Sequence, residues 1–386
     1  MKIALVTDTY VPAPNGTSIS VETLRRSLSK IGHDVWIFAP EYKSLKIKEE
    51  KIVTMPGIYS VSDKFKPTVW PTNSPKDKVI EQAQFDIVHS HHFYSPFKYS
   101  LDFAASSGAK HIASFYRLFP EYENKKSALS FTSPERKSIK KLLDIANNCD
   151  HVAALSKGEK KYFEEIGVST PISVTPVGVF TKDYASYPPQ AVREKFQIPK
   201  ERQIILYVAR LEEDAALELL LKSFKIIWKA IDDVHLLIIG GGSKEKELKK
   251  LISHQGFADY VTVAGFLPKS QVNKIYGATD VFAYPKTLDP QPLCILESLS
   301  SGTPVVAVEG YGASDFVKHN QNGLIKKNDV NDFAKGIIEV LRRKQLMLEF
   351  KRNARIHAIE LRASNMTHFL LKLYESVSQE KSEKMF

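Results

Sequence analysis

Val281–Val308 reads VFAYPKTLDPQPLCILESLSSGTPVVAV, and the order of its parts decides the fold. A short apolar strand ends near Pro285, a loop follows, and a helix carries Glu297. Gly302 then stops the helix and a second apolar strand closes the stretch. Strand ends that feed a loop and then a helix N-terminus are where open parallel sheets hold phosphorylated ligands. Glu297 stands in an otherwise apolar helix, ILESL, where a carboxylate is costly unless something hydrogen-bonds to it. Taken singly, it reads as a partly exposed helix glutamate.

The same alternation runs outward from this stretch. In the C-terminal half, Ile204–Ala209, His235–Gly240, Val261–Ala264, Val281–Tyr284 and Val305–Val308 read as strands. Leu217–Ala230, Lys244–Ser253, Lys269–Tyr276, Pro292–Leu299 and Asp332–Arg343 read as the helices between them. In the N-terminal half, the strands are expected at Ile3–Val6, Val35–Ala39, Ile87–His89, His111–Phe115, Val152–Leu155 and Ile172–Val174. Segments such as Val21–Ile31 and Glu135–Asn147 are the intervening helices. Such a chain is α/β, with mostly parallel sheets covered on both faces. The Pro188-Pro189 pair in FTKDYASYPPQAV suits a linker. The expected division is 1–180, 190–360 and a terminal helical stretch 361–386, with an amphipathic pattern from about Arg355 to Val377. Two Rossmann-like, doubly wound domains of this kind leave a cleft suited to ligands.

Composition narrows the function. The 386 residues are 43% hydrophobic, ordinary for a globular chain, and the two cysteines, Cys149 and Cys294, lack metal-ligand spacing and read as free thiols. Asp8 interrupts the N-terminal apolar run, which reads as a strand and not a signal peptide. No apolar run approaches the roughly 18–20 residues that span a bilayer, so a cytoplasmic location is expected. The formal charge of +10 suits nucleic acid, an anionic membrane surface or phosphorylated small molecules. Zinc-finger spacing, an RNA-recognition aromatic signature and a clear helix-turn-helix pattern are all missing, which disfavours nucleic acid. Lys125–Lys141, KKSALSFTSPERKSIKK, reads equally as a basic amphipathic stretch on an anionic membrane or as a solvated helix face.

The Val281–Val308 string resembles the donor-site signature of retaining GT-B glycosyltransferases of family GT4, the group 1 glycosyl transferases. There a loop acidic residue precedes a helix glutamate by eight positions and a small-Gly-Thr-Pro-Val-Val strand follows; here these are Asp289, Glu297 and SGTPVV. The resemblance runs from the first strand through Phe386 and implies the GT-B architecture. Asn15-Gly16-Thr17 directly precedes a helix and, in PAPNGTS, resembles the family's glycine loop facing the donor diphosphate. In YVARLEEDAALELLLKSF, Arg210 fills the family's diphosphate arginine position, whereas the lysine position five residues on holds Ala215. Gly240 matches the second-domain glycines and Phe266 the base-holding loop, with Leu293 and Cys294 on the donor side of the helix start. Aligning ASFYRLFPEY on Glu121-Tyr122 puts Tyr116 where the family has its cleft histidine. In HSHHFYSP, the adjacent side chains of His91 and His92 diverge on an extended segment, and no carboxylate or cysteine completes a metal site.

The resemblance implies retaining hexosyl transfer from a nucleotide-diphosphate sugar, without a cofactor or bound metal. Arg210, the Gly16 loop and helix N-termini would meet the leaving diphosphate. Glu297 would hold the ribose, Asp289 the sugar hydroxyls, and Tyr116 would line the reacting face. DTYVPAPNGTSIS and DIVHSHHF look most like transferases acting on membrane lipids, which implies a peripheral place on the inner membrane face. Several positions depart from the family pattern: Tyr116, Ala215, Asp289 in place of glutamate, Pro290-Gln291-Pro292 in place of glycine-aromatic-glycine, and Val177 and Phe180. These departures keep open a catalytically weakened or inactive GT-B module that retains ligand or partner binding. An epimerase of two Rossmann halves matches the architecture but not LESLSSGTPVV.

Overall fold

The computed structural model describes residues 1–13, 15–42, 50–55, 58–59, 67–69, 83–91, 96–118, 134–184, 187–212 and 215–383. The chain divides into two units, Met1–Gly178 with Ala363–Phe386, and Val179–Arg362. In the first unit come β1 (Lys2–Thr7), β2 (Asp34–Pro40), β3 (Ile52–Met55), β4 (Ile58–Tyr59), β5 (Pro67–Val69), β6 (Ile87–His91), β7 (Lys110–Ser114), β8 (His151–Ala154) and β9 (Ile172–Val174). Seven of them form a parallel sheet in the order β3-β2-β1-β6-β7-β8-β9, while β4 and β5 pair antiparallel. The second unit holds β10 (Gln203–Val208), β11 (Val234–Ile239), β12 (Val261–Val263), β13 (Val281–Tyr284), β14 (Val305–Val308) and β15 (Gly323–Lys326). They form a parallel sheet in the order β12-β11-β10-β13-β14-β15.

Helices cover both faces of these sheets, which is why their strands read as unbroken apolar runs. Ile3–Val6 and Val305–Val308 are buried throughout. One face of the first sheet packs Leu5 and Ile37 on Val21, Leu24 and Leu28 of the Gly16–Lys30 helix, and on Leu370, Leu373 and Tyr374 of the Ala363–Glu383 helix. In the second unit, Ile205, Leu236 and Ile238 meet Leu220 and Phe224 of the Leu217–Ala230 helix and Phe333 and Ile337 of the Val330–Arg342 helix. Caps set several helix starts: Asn15 accepts from Ser18 N, Ser156 from Glu159 N, and Asp329 from Asn331 N and Asp332 N.

Two expectations need correction. Pro188-Pro189 is no linker: Pro189 opens the Pro189–Phe196 helix, where a missing N–H costs nothing because the first turn leaves it unpaired. The amphipathic stretch from Arg355 to Val377 is not one helix: it spans the end of Lys344–Glu360 and most of Ala363–Glu383, the second of which fills the expected 361–386 helix. The helix stops because Leu361 O accepts from Val179 N at 3.1 Å, where the chain enters and leaves the second unit. Among the described residues, no helix is long and apolar enough to cross a membrane.

In both sheets the strand order reverses once, between β1 and β6 and between β10 and β13. Open α/β sheets take ligands outside the carboxyl ends of their strands at such a reversal.

Candidate functional site

At the second reversal, β10 runs into Ala209-Arg210 and β13 into the Pro285–Pro292 loop, which leads to the Leu293–Ser300 helix. Arg210 is exposed and makes no hydrogen bond or ion pair with a described residue. Its loop lies against the glycines that end β11. Leu211 N donates to Gly241 O (3.0 Å), and Lys244 N donates to Leu211 O (2.9 Å). A Cβ at Gly240, whose φ is +141°, would overlap the Ala209 carbonyl, and one at Gly242 would overlap that of Leu211. The glycine run is thus required by the approach of two backbone segments of this chain, which is a structural reason for Gly240 that needs no ligand. Phe266 is 61% exposed beside Gly241.

Asp289 is anchored by its own loop. Its Oδ1 accepts from Gln291 N and its Oδ2 from the Tyr284 hydroxyl, both at 3.1 Å. Pro290 and Pro292 carry no N–H, and Gln291 spends its own on Asp289, so residues 290–292 present no spare main-chain donor. The loop rests on a glycine. A Cβ at Gly312 would lie 2.5 Å from Pro290 O and 2.6 Å from Asp289 O. Gly312→Ala is therefore expected to lower stability by about 1–3 kcal/mol, as overpacking does. Gly16→Ala, where nothing lies within 4 Å of the added carbon, is the matched substitution that should leave the melting temperature in place.

Glu297 is the buried carboxylate of the site, 3% exposed. Its Oε1 accepts from Lys269 Nζ, and its Oε2 accepts from the Tyr276 hydroxyl at 2.9 Å. Lys269 and Tyr276 open and close one helix. Burial first, then the Glu297 charge, raises the hydroxyl pKa values of Tyr276 and of Tyr184, over whose ring Lys269 Nζ stands at 6.0 Å. The partly exposed reading of this glutamate is thereby excluded. The tail SGTPVV has its own reason: Thr303 Oγ1 donates to Tyr276 O (2.6 Å) and Ser298 Oγ to Thr303 O (3.0 Å), while Gly302 turns at φ +78°. Leu293 is buried at the helix start, and half-exposed Cys294 follows it. Burial and the Asp289 and Glu297 charges push the Cys294 thiol up.

Ala215 is fully buried, and its carbonyl accepts from the Tyr207 hydroxyl. The structure thus gives position 215 a packing role and no charge. Sequence reading missed Lys269, Tyr276 and Thr303. The available signal was the buried glutamate itself, since a carboxylate in an apolar helix must find donors.

In the first unit, Gly16 opens its helix facing open space, with half-buried Thr17 next. The Asn15 side chain also donates to Thr9 Oγ1 (2.8 Å), tying the loop to the end of β1. At the end of β6, His91 is fully buried with its Nδ1 3.2 Å from the hydroxyl of half-buried Tyr116. Burial pushes the Tyr116 hydroxyl up. His89 and His91 stack at 3.9 Å on the same face of the strand. The Tyr374 hydroxyl meets His89 Nδ1 (2.6 Å), His89 Nε2 meets Ser114 Oγ (3.0 Å), and Ser114 donates to Ala153 O (2.7 Å). Because Ser114 already donates, His89 must carry its proton on Nε2 and accept from Tyr374. Val177, where the family is polar, belongs to the first unit's core. His92, Glu121-Tyr122 and residues 125–133 of the basic stretch lie outside the described residues; residues 134–141 fall in the Pro134–Ala146 helix.

Two family models match the chain: Glycosyltransferase Family 4 over residues 14–183 and Glycosyl transferases group 1 over residues 190–357. The alpha-monoglucosyldiacylglycerol synthase of Acholeplasma laidlawii is 22% identical, with 100% of each chain covered. The synthase of the same name from Streptococcus pneumoniae is 25% identical over 88% of this chain and 78% of the relative. Anabaena HepE, solved in complex with UDP-glucose, superposes with a TM-score of 0.77 at 16% identity, covering 97% of this chain and 100% of that one. That likeness concerns the fold, two Rossmann-like α/β domains of GT-B type. With both halves matched by the family's models, the chain belongs to glycosyltransferase family 4 and is a GT-B glycosyltransferase.

Proposed function

We propose that this glycosyltransferase moves a hexose from a nucleotide-diphosphate sugar to a membrane glycerolipid with retention of anomeric configuration. The observation that carries this reading is the match, over the whole of both chains, to a synthase named for an alpha-glucosylated diacylglycerol. Sugar nucleotides of glucose are α-linked, so an α-product from such a donor is retention. HepE, bound to UDP-glucose in its own structure, supports a nucleotide-diphosphate sugar as the donor class.

In this reading the donor's anomeric C1–O bond breaks toward the diphosphate. Arg210 and the start of the Leu293–Ser300 helix, with Leu293 and Cys294, meet the charge that develops there. Glu297, already fixed by Lys269 and Tyr276, keeps lone pairs for the ribose hydroxyls, and Phe266 offers its exposed ring to the base. Asp289 holds sugar hydroxyls. On the first unit, Gly16 and Thr17 offer helix-start N–H groups suited to an anion, and Tyr116 stands beside His91 at the end of β6. No resident cofactor or metal enters this scheme. The +10 charge favours an anionic membrane surface, and a peripheral cytoplasmic place belongs to the same proposal.

The test is transfer from UDP-glucose to diacylglycerol in vesicles containing anionic lipid, with the anomeric proton of the product read by NMR. An α-glucosyl lipid is expected. A β-product would remove retention, and transfer only to soluble sugars would remove the lipid acceptor.

A further inference from the structure

In the Lys344–Glu360 helix of the second unit, Leu348, Ile356 and Ile359 are 48%, 58% and 47% exposed. Large apolar residues scattered singly on a surface need no explanation, but these three share one face. Leu348, Arg352, Ile356 and Ile359 stand at i, i+4, i+8 and i+11, a single stripe on a helix of 3.6 residues per turn, and Arg355 adjoins it. Met347, Phe350, Ala354 and Ala358 on the opposite face are buried, so core packing holds the stripe outward. Both arginines are exposed, and neither makes a hydrogen bond or ion pair with a described residue. Lys344 and Glu349 flank the stripe at its two margins, and Glu360 at its end is paired with Lys318 at 2.8 Å. Apolar groups interleaved with arginines suit a lipid headgroup boundary, where the first enter the acyl edge and the second meet phosphates. A second copy of the chain fits less well. Residues 348–359 rise about 17 Å, a helix face of about 200 Å², against about 800 Å² per partner in a stable interface. A two-fold pairing would also set the arginine stripe against itself.

We propose that this face of the Lys344–Glu360 helix is a docking surface for an anionic bilayer, with Leu348, Ile356 and Ile359 entering the headgroup region and Arg352 and Arg355 pairing with lipid phosphates. The choice of partner rests on the lipid-acceptor reading above, since an enzyme whose acceptor is dissolved in a bilayer works at its surface.

Flotation of the full chain with phosphatidylcholine vesicles, with and without phosphatidylglycerol, tests the assignment. The variants are Ile356→Ser with Ile359→Ser, Arg352→Gln, and Leu251→Ser at an exposed leucine of another helix. The isoleucine pair is expected to lower the partition coefficient on anionic vesicles about 10- to 30-fold. Arg352→Gln is expected to lower it about 5-fold, and only where phosphatidylglycerol is present. Leu251→Ser should partition with the wild type, and all melting temperatures should stay in place. Undiminished binding by the isoleucine pair, or an equal loss in Leu251→Ser, would overturn the proposal. A wild-type dimer in sedimentation velocity that the isoleucine pair abolishes, with vesicle binding intact, would give the face to a second copy and overturn it too. Glucose transfer separates this surface from the preceding reading. Wild-type protein that binds anionic vesicles through this face, yet transfers no glucose to diacylglycerol in vesicles or detergent micelles, would remove the lipid acceptor and leave the docking surface standing.

Discussion

Glu297→Ala is expected to lower stability by about 2–3 kcal/mol and to abolish nucleotide-sugar binding, whereas Glu297→Gln is expected to fold and still lose most of that binding. Alanine strands the Tyr276 hydroxyl, which is fully buried and has the Glu297 carboxylate as its partner. An unsatisfied buried hydroxyl costs about 1–3 kcal/mol. The ion pair with Lys269 adds less, because the lysine side chain is 39% exposed and recovers water. Glutamine keeps an acceptor for Tyr276 but removes the charge and one acceptor from the ribose side. Thermal melts with nucleotide titrations separate the two effects. A Glu297→Ala protein that melts with the wild type would contradict the buried network.

That network marks how far the sequence carries. The strands from Ile204 to Val308 are legible because parallel strands covered on both faces are unbroken apolar runs, and the Val281–Val308 string places the site at their carboxyl ends. The partners of Glu297 are not legible. Lys269 and Tyr276 precede it by 28 and 21 residues on another helix, and only the packing of the two helices joins them. Short or half-buried strands such as β3 and β15 carry too few residues for periodicity to register. The break at Leu361-Arg362 is invisible for a similar reason, since the amphipathic pattern runs through it and the stop comes from a hydrogen bond to Val179. In HSHH, the sequence argues against a metal site but assigns the histidines no other role. The structure shows that His89 instead connects the C-terminal helix to the sheet through Tyr374 and Ser114.

That histidine cluster is expected to make the protein acid-labile. Burial lowers His91 to about 3 and His111 to about 4, and it lowers His89 well below its ordinary value, with the neighbouring imidazoles adding to the effect. The unfolded chain protonates these imidazoles below about pH 6.5. The folded chain keeps them neutral until far lower, so the unfolded state holds more protons and stability is lost as pH falls through 6.5. Each such proton is worth about 1.4 kcal/mol per pH unit. By pH 5, His91 and His111 alone are expected to remove about 4 kcal/mol, a drop in melting temperature on the order of 10 °C. Carboxylates whose pKa values are depressed by their partners, such as Asp332 and Glu360, have the same sign but act below about pH 4.5, outside this window. Denaturant titrations at pH 7.5 and pH 5 check the slope. Equal midpoints would mean that the histidines are solvated or charged in the folded protein.

The most direct measurement is a crystal structure of the chain with a bound nucleotide-diphosphate sugar. The expected density has ribose hydroxyls on the Glu297 carboxylate and the diphosphate beside Arg210 at the start of the Leu293–Ser300 helix. A nucleotide bound elsewhere, with Glu297 still enclosed by Lys269 and Tyr276 and untouched by ligand, would contradict a donor site at the carboxyl ends of β10 and β13.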